Sequence, residues 1–449
     1  MAKQLFGTDG IRGLAGEYPL DPATVHAFGM ALGTDLGRVA PGAGVVIGMD
    51  TRESGPWIAA QVAAGLLRRG VHVSFAGVIT TPGIAYLTRS NDFTAGVMIS
   101  ASHNPYRDNG IKVFGHSGFK LPDDEEHAVE QEIFRLGRLH NATGIEPAES
   151  LAPDSSLAQH YLDFLSSTVA GSFAGMRIVV DCGNGAAFQL APALFRHLGA
   201  DVHAIFHQPN GRNINLDCGS QHVEPLRATV LEDRADLGVA FDGDADRAIF
   251  VAADGQIVDG DAVLLIAARA LQAAGKLGGA LVVATVMSNL GLEQALARDG
   301  IRLLRTPVGD KYVLEEMVRE GAALGGEQSG HIIFRQYATT GDGLLTALRI
   351  LETARDSSGG LAGLTAGLQI YPQRLVSIRV REKRALAELP TVSREIADCE
   401  RAFGTSGRVL VRFSGTEPVA RVMVEGPDLA RVEQFTNRIA TAIQKEIGA

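Results

Sequence analysis

The sequence has few cysteines and no long hydrophobic run, and both absences narrow the classes of protein it can encode. Cys182, Cys218 and Cys399 lie far apart among 449 residues and form no C-x-x-C pair. Three scattered cysteines argue against a disulfide framework and a zinc site, and they are typical of a reducing compartment. The N-terminus lacks the apolar segment of a signal peptide, and no stretch is long enough to cross a bilayer. We therefore expect a cytoplasmic protein without membrane attachment.

Positive charge is also scarce. Lys and Arg number 41 against 51 Asp and Glu, which gives a net charge of −10. Because binding along a nucleic acid needs a basic stripe, this balance argues against such a partner. Small anionic ligands are still allowed, since a few Arg and Lys side chains in a cleft can bind phosphate within an acidic protein.

The hydrophobic pattern predicts an α/β protein of several domains, about three from length alone, with two or four also allowed. Short β-branched runs alternate with helical segments up to about residue 319, which favours parallel or mixed sheets. Strands at 375–380, 409–412 and 420–424 and a helix around 388–399 then predict a small α+β unit. The last helix should pack on that sheet through an apolar stripe of Leu429, Val432, Phe435, Ile439 and Ile443.

Three carboxylates, Asp242, Asp244 and Asp246, follow a strand-like run at 237–241. Ligand sites in α/β folds lie beyond the carboxyl ends of strands, where three carboxylates would repel one another unless a cation neutralised them. Oxygen ligands suit a divalent ion, most simply Mg²⁺, and Arg247 beside them would suit a bound phosphate. A solvated acidic turn is the alternative.

Residues 98–105 present Ser100 and Ser102 after an apolar strand, in a turn that Asn-Pro keeps from becoming a helix. The sequence contains no G-x-S-x-G elbow of the kind that acyl transfer would need. A serine that carries a phosphoryl group needs a cation and hydrogen-bond donors, which a metal on the aspartates and Lys112 would supply. A turn with only local hydrogen bonds is the alternative.

Residues 411–418 have the composition of a phosphate-binding turn. They include Arg412, a serine and a threonine, and Arg421 follows three residues later. Successive backbone N–H groups, two hydroxyls and two arginines suit a phosphate dianion. A β-turn between surface arginines accounts for the same residues.

Residues 325–331 form a glycine-rich loop between two strand-like runs. The loop carries Glu327, Ser329 and His331, which offer an acceptor, a hydroxyl and a titratable imidazole. Such groups can hold the hydroxyls of a polyol, and an ordinary glycine-rich hairpin is the alternative.

These four segments, in this order and separation, resemble the α-D-phosphohexomutase superfamily over essentially the whole chain. Residues 6–13, Gln328 and residues 338–343 are similar to bacterial members that act on glucosamine phosphate. The resemblance implies three mixed α/β domains and a smaller α+β domain around a central cleft. The domains that carry the phosphoserine, metal, sugar and phosphate loops are expected, in that order, at 1–150, 151–255, 256–368 and 369–449.

The resemblance also implies an activity, the interconversion of glucosamine 6-phosphate and glucosamine 1-phosphate through a phosphoserine enzyme and a glucosamine 1,6-bisphosphate. The product leads toward UDP-N-acetylglucosamine and the cell wall. One Mg²⁺ per chain and a hexosamine or hexose 1,6-bisphosphate activator are implied. The expected partner is a small sugar phosphate, and a homodimer is compatible with the sequence.

Site residues follow from the matching motifs. The resemblance makes Ser102 the phosphate carrier, and the expected metal ligands are Ser102, Asp242, Asp244 and Asp246. Glu327 and Ser329 would bind sugar hydroxyls. The non-reacting phosphate would be held by Arg412, Ser414, Gly415, Thr416 and Arg421.

Catalysis would then consist mostly of positioning and of charge neutralisation by Mg²⁺, Arg247 and Lys112. Lys112 is the first candidate for the general base, because burial among cations can lower a lysine pKa toward neutrality, and His331 is the second. Arg12 belongs to the superfamily's active-site motif. It is a poor base, so we assign it to orienting phosphate.

Three other functions are open. A phosphomannomutase/phosphoglucomutase would perform the same chemistry on a different sugar. A metal-dependent phosphohydrolase would pass the phosphoryl group from Ser102 to water, although it has no need of a distal phosphate clamp. A non-catalytic sugar-phosphate sensor is disfavoured, since it would not need Ser102, the three aspartates and Lys112 together.

Overall fold

The computed structural model describes residues 4–7, 9–40, 42–139, 149–414 and 418–449. The chain divides into two compact units, the first comprising Met1–Val286 and Leu304–Ala366, the second Met287–Leu303 and Gly367–Ala449. The four predicted domain ranges and the central cleft stay predictions. Among the described residues, no helix has both the length and the apolar character needed to cross a bilayer.

The first sheet of the chain has six strands in the order β1-β2-β6-β5-β3-β4. The strands are β1 (Phe6–Gly7), β2 (Gly10–Leu14), β3 (Gly44–Met49), β4 (His72–Val78), β5 (Ala95–Ile99) and β6 (Asp108–Gly115). The helices of this region are α1 (Pro22–Val39), α2 (Gly55–Leu67), α3 (Thr81–Ser90) and α4 (Asp123–Leu139). Because β3 and β5 are parallel, with Met49 opposite Ile99, the segments that follow them begin side by side at one edge of the sheet.

The second sheet has five strands in the order β11-β10-β9-β7-β8. The strands are β7 (Arg177–Asp181), β8 (Asp201–Ile205), β9 (Leu237–Phe241), β10 (Ala248–Ala252) and β11 (Ile257–Val258). The helices before and between them are α5 (Ser155–Ser167), α6 (Ala187–His197) and α7 (Glu224–Asp233). All five residues of β9 are buried, as expected for an apolar run inside a sheet covered on both faces. The three aspartates follow this strand directly.

The third sheet has four strands in the order β13-β12-β14-β15. The strands are β12 (Leu281–Thr285), β13 (Arg302–Thr306), β14 (Leu324–Gly326) and β15 (Ile332–Phe334). The helices of this part of the chain are α8 (Gly260–Ala273), α9 (Leu290–Arg298), α10 (Asp310–Glu320), α11 (Gly343–Arg355) and α12 (Gly360–Leu364). The antiparallel pair β14–β15 presents the glycine-rich loop at its end.

The second unit contains a three-stranded antiparallel sheet in the order β16-β18-β17. The strands of this sheet and the helices between and after them in the chain are β16 (Gln373–Arg379), α13 (Pro390–Phe403), β17 (Arg408–Phe413), β18 (Val419–Glu425) and α14 (Leu429–Ile447), and the unit also contains α9. The stripe on α14 is buried as predicted, with one exception. Leu429 is 53% exposed, because α14 begins at this residue and only later turns reach the core.

The predicted fold class is confirmed. Mixed sheets with helical crossovers occupy the chain up to about residue 366, and the smaller α+β unit follows. The four segments predicted at 375–380, 388–399, 409–412 and 420–424 agree with β16, α13, β17 and β18 to within two residues at every boundary except one, since α13 extends to Phe403.

Candidate active site

Ser102 lies in a tight turn after β5, and its side chain is almost completely buried. Its backbone has φ +51°, a left-handed conformation that non-glycine residues seldom adopt. Its Oγ donates a hydrogen bond to Asp242 Oδ2 at 2.5 Å, although the two residues are 140 positions apart. Ser100, by contrast, donates to Asp50 Oδ2 at 2.6 Å and accepts the N–H of Ser102. The turn therefore uses Ser100 for structure and presents Ser102 to the carboxylates.

Two residues that sequence reasoning missed, Arg52 and Asn215, stabilise this turn by hydrogen bonds to its backbone carbonyls. Arg52 Nη2 donates to the carbonyls of Ser102 at 3.1 Å and Asn104 at 2.6 Å. Asn215 Nδ2 donates to the same two carbonyls, at 2.9 and 3.2 Å. A Cβ on Gly243 would lie 2.4 Å from the carbonyl oxygen of Ser102, so only glycine allows the two loops to approach this closely.

The side chains of Asp242, Asp244 and Asp246 converge in the buried interior of the first unit. One carboxylate oxygen from each lies within 4.8 Å of the others. Burial, followed by the charges of Asp246 and Asp244, raises the pKa of Asp242 well above its ordinary value. Asp244 Oδ1 and Asp246 Oδ1 are buried without a hydrogen-bond partner. Converging, unsatisfied carboxylate oxygens fit a divalent cation.

Lys112 was expected among cations, and that expectation is wrong. Its Nζ lies 2.8 Å from Asp244, 3.1 Å from Asp9 and 3.5 Å from Asp246. Burial by itself would lower the pKa of Lys112, but the three carboxylates outweigh it and raise the pKa above the ordinary value. As it stands here, Lys112 is a fixed positive charge.

A closed ring in which carboxylates alternate with basic side chains passes through this cluster. Neighbouring members lie 2.5 to 3.8 Å apart, and in order they are Lys112, Asp9, Lys120, Asp310, His331 and Asp246. Burial alone would raise the pKa of Asp9, yet Lys112, Lys120 and Arg12 hold it well below the ordinary value. Arg12 is half-buried and pairs with Asp9. Asp9, Lys120 and Asp310 were missed: Asp9 was used only as part of the motif at residues 6–13, and neither Lys120 nor Asp310 was given a role.

His331 experiences two opposed influences. Burial lowers its pKa, but Asp246, Asp310 and Glu327 together raise it. The backbone N–H of Gly341 donates to His331 Nε2 at 2.9 Å, which requires that nitrogen to be unprotonated. The carboxylates outweigh burial, so the pKa of His331 is raised overall, and in its neutral form the proton lies on Nδ1, the nitrogen 3.6 Å from Asp246 Oδ2.

Arg247 lies beside the serine turn. Its Nη1 is 3.1 Å from Nδ1 of His103, and its backbone N–H donates to Asp242 Oδ1 at 3.2 Å. Burial, then the charges of Arg247 and Arg12, lower the pKa of His103 to about 4. His103 is thus neutral near pH 7, and its position directly after Ser102 was the sequence signal for it.

The glycine-rich loop lies in the same unit. Glu327 Oε1 accepts a hydrogen bond from the backbone N–H of Gly309 at 3.2 Å. The negative charge of Glu327 is among those that raise the pKa of Arg247. Ser329 is exposed on this loop. The N–H of Ala248, just after the metal loop, donates to the carbonyl of Gly330 at 3.1 Å. The structure therefore brings together the predicted serine, aspartate and glycine-rich segments.

The predicted phosphate turn lies in the second unit. Arg412 and Arg421 stand directly opposite each other on β17 and β18. Burial, and then the charge of Arg421, lower the pKa of Arg412. Ser414 is buried, and its carbonyl accepts a hydrogen bond from Lys383 Nζ at 2.7 Å. The predicted Gly415 and Thr416 lie outside the described residues.

Comparison with known proteins gives a consistent result. Family models of the phosphoglucomutase/phosphomannomutase α/β/α domains I, II and III and of the C-terminal domain match residues 3–139, 159–255, 259–371 and 375–442. The chain is 64% identical to a phosphoglucosamine mutase of Solibacter usitatus, covering 100% of both chains. It is 52% identical to that of Koribacter versatilis, covering 99% of this chain and 98% of the relative.

Solved structures show the same fold. A phosphoglucomutase/phosphomannomutase family protein of Burkholderia thailandensis superposes with a TM-score of 0.80 at 24% identity, covering 99% of both chains. An N-acetylphosphoglucosamine mutase of Aspergillus fumigatus, in complex with GlcNAc-6P and magnesium, gives a TM-score of 0.64 at 18% identity. That match covers 98% of this chain and 96% of the fungal chain.

Proposed function

Because the chain belongs to the phosphoglucomutase/phosphomannomutase family, we propose that it interconverts glucosamine 6-phosphate and glucosamine 1-phosphate. The buried contact between Ser102 Oγ and Asp242 carries the proposal, because it sets a hydroxyl against a carboxylate cluster in the way a phosphoryl carrier requires. The chain is 64% and 52% identical, over essentially its full length, to two proteins named phosphoglucosamine mutase. This similarity supports glucosamine over glucose or mannose as the sugar.

The reaction we propose has two transfers. In the first, the O–P bond of phosphorylated Ser102 breaks and a new O–P bond forms to the free hydroxyl of the sugar phosphate, whose proton passes to a base. The resulting 1,6-bisphosphate turns around, and Ser102 Oγ then accepts its other phosphoryl group. A hexosamine or hexose 1,6-bisphosphate would load Ser102 by the same second step, which is why we propose it as the activator.

Charge neutralisation is the main task of the residues around Ser102. Lys112 is a buried cation and Arg247 a partly buried one, and both can stabilise negative charge on the transferring group, which Arg12 can orient. Lys112 stays our first candidate base for the state in which a bound cation offsets Asp244 and Asp246. Burial then lowers its pKa against the opposing charge of Asp9 alone, at 3.1 Å. His331 is the second candidate.

The carboxylates fit a divalent cation, since two of their buried oxygens have no hydrogen-bond partner. Mg²⁺, when bound, would supply charge neutralisation at the transferring phosphoryl group. The residues that would hold it are Ser102, Asp242, Asp244 and Asp246.

Two further loops would bind the rest of the substrate. Glu327 and Ser329 offer an acceptor and a hydroxyl to the sugar. Facing arginines favour a dianion between them, so the residues we assign to the non-reacting phosphate are Arg412, Ser414, Gly415, Thr416 and Arg421. We place the enzyme in the cytoplasm and allow a homodimer; neither nucleic acid nor membrane has a part in the proposal.

A comparison of turnover tests the choice of sugar. The purified enzyme is assayed with Mg²⁺ and a trace of hexose bisphosphate on glucosamine, glucose and mannose phosphates. We expect the highest kcat/KM on glucosamine 6-phosphate. A preference above about tenfold for glucose or mannose phosphate would overturn the assignment, since that ratio exceeds what side activity explains. Release of inorganic phosphate as the main product would instead identify a hydrolase.

Intact-mass analysis with site mapping tests the carrier. The protein as purified, or after incubation with hexose bisphosphate, should carry one phosphate on Ser102. Incubation with an excess of glucosamine 6-phosphate should remove it. Phosphate mapped to another residue would contradict the proposal.

A further inference from the structure

We propose that Thr81 is a positioning residue for the metal site and acts through Asp244. Thr81 is the first residue of α3 and is 1% exposed. Its Oγ1 donates to Asp244 Oδ2 at 2.5 Å, and its backbone N–H donates to the carbonyl oxygen of Asp244 at 3.0 Å. This inference rests on the proposed metal site, and the experiment below separates the two.

Thr81 is held in place by its own helix. Thr80 caps α3 by accepting the N–H of Gly83 at 3.1 Å, and Pro82 occupies the first turn, where a missing N–H has no cost. The helix begins after β4 of the first sheet, whereas Asp244 follows β9 of the second. Two hydrogen bonds from one residue therefore fix the metal loop against the sheet that carries Ser102.

The hydroxyl of Thr81 decides which oxygen of Asp244 is left for a cation. Oδ2 accepts two donors, the hydroxyl of Thr81 and the ammonium of Lys112 at 2.8 Å. Oδ1 is buried and accepts none. Lys112 also pairs with Asp9 and Asp246, so its bond to Asp244 is shared. The hydroxyl is aimed at Asp244 and limits rotation of its carboxylate.

Groups that orient a metal ligand from behind typically contribute ten- to hundredfold to affinity. Without the hydroxyl, Lys112 alone would hold Asp244 Oδ2, and the carboxylate could turn so that Oδ1 no longer faces the other two aspartates. We therefore expect Mg²⁺ affinity to fall while binding of the sugar phosphate at saturating Mg²⁺ is little changed.

The test measures Mg²⁺ binding to the dephosphorylated full-length enzyme by calorimetry, with Mn²⁺ binding by electron paramagnetic resonance as a second probe. Thr81→Val removes the hydroxyl and keeps the shape, and Thr81→Ser keeps the hydroxyl. Thr88→Val is the matched control, because Thr88 is also 1% exposed on α3 and its hydroxyl bonds only within the helix, to the carbonyl of Ile84 at 2.7 Å. Asp244→Asn reports loss of the site itself.

We expect Thr81→Val to raise the Mg²⁺ Kd by at least about tenfold, and Thr81→Ser and Thr88→Val to stay within about threefold of the wild type. Wild-type-like affinity in Thr81→Val, or equal loss in Thr81→Ser, would overturn the inference, provided that Asp244→Asn binds weakly. If the wild type binds Mg²⁺ no better than Asp244→Asn, the proposed metal site fails and takes the inference with it. Thr81→Ala serves as the hydroxyl-free variant if Thr81→Val does not fold, and it is held to the same thresholds.

Discussion

Around Ser102 the first unit buries carboxylates and cations in alternation, whereas the second unit sets Arg412 and Arg421 opposite each other on neighbouring strands. In the first region Lys112 and Lys120 are paired with carboxylates, and the carboxylate oxygens left without a partner belong to Asp244 and Asp246. In the second, like charges face each other, an arrangement that disfavours the free sheet.

The difference indicates which ligand each region binds. A region whose cations are already paired and whose unsatisfied carboxylate oxygens converge can bring together a hydroxyl, a metal ion and a phosphoryl group without large rearrangement, because the charges are already oriented. A region in which two arginines stand opposite each other gains when a dianion binds between them. The comparison therefore predicts different responses to substitution. A change at Ser102 should abolish turnover, a change at Arg421 should weaken substrate binding, and a change at Asp342 should alter only stability.

The largest effect should come from the carrier. Ser102→Ala removes the atom that accepts the phosphoryl group, and we expect turnover to fall by about four orders of magnitude or more while sugar-phosphate binding persists. Coupled assays of product formation, with equilibrium binding measured alongside, check this outcome. Residual turnover within about a hundredfold of the wild type would contradict the carrier role.

Ser100 provides the matched control for this change. It stands two residues away and is equally buried, but its hydroxyl serves Asp50 and the backbone of the turn. Ser100→Ala should cost about 1 kcal/mol of stability and keep turnover within about tenfold of the wild type. If the two alanine variants were equally inactive, the division of roles between the serines would be wrong.

An intermediate effect is expected in the second unit. Arg421→Gln removes one charge of the facing pair, and we expect KM for glucosamine 6-phosphate to rise about thirtyfold with a much smaller change in kcat. Steady-state kinetics of the purified variant supply both parameters.

Arg374→Gln is the control for this variant. Arg374 lies on β16 of the same sheet, is 56% exposed and approaches Glu433 only at 4.0 Å. Its replacement should change KM by less than about twofold, since exposed pairs of this kind contribute little. A kcat loss in Arg421→Gln as large as its KM effect would show that this arginine does more than hold a phosphate.

The smallest effect concerns a carboxyl buried without a close opposite charge. Asp342 caps α11, where its oxygens accept the N–H of Leu345 at 3.0 Å and the hydroxyl of Tyr161 at 2.8 Å. Burial raises the pKa of Asp342 to about 6. The folded protein therefore binds this proton more tightly than the unfolded chain does, so stability falls as the pH rises from about 4 to about 6.

Asp342→Asn should remove this part of the pH dependence. Between pH 4 and pH 7 the wild type should lose up to about 2 kcal/mol that the variant does not lose. Urea unfolding of both proteins at several pH values gives the difference. Parallel pH profiles would mean that Asp342 titrates normally, and that burial without an opposite charge is less costly here than we infer.

Much of the fold and the centre of the site could be predicted from local signals. Ser102 and Asp242 were predicted to act together because each follows an apolar strand and the chemistry of one needs the other, and the two side chains are in contact. Alternating apolar and polar residues likewise predicted β17 and β18 to within one residue. Strand ends and residue chemistry are both visible in a short window of sequence.

The remaining contacts of the site join residues that lie far apart in the sequence, so no short stretch of sequence contains both partners. Lys120 meets Asp9 across 111 positions and Asp310 across 190, and Thr81 meets Asp244 across 163. Each is an unremarkable residue until folding supplies its partner. The surroundings of Lys112 were wrongly predicted for the same reason. Asp9 lies in the turn between β1 and β2, and the pairing of β2 with β6, the strand that carries Lys112, had not been predicted.

The left-handed backbone at Ser102 restricts which mutations evolution can accept there. On chemical grounds threonine could carry a phosphoryl group as serine does. A second substituent on Cβ is poorly tolerated at φ +51°, however, so a threonine would have to distort the turn before it could react. A single-nucleotide change converts a serine codon to a threonine codon and is harmless at many surface sites. At this position the backbone conformation disfavours the resulting threonine.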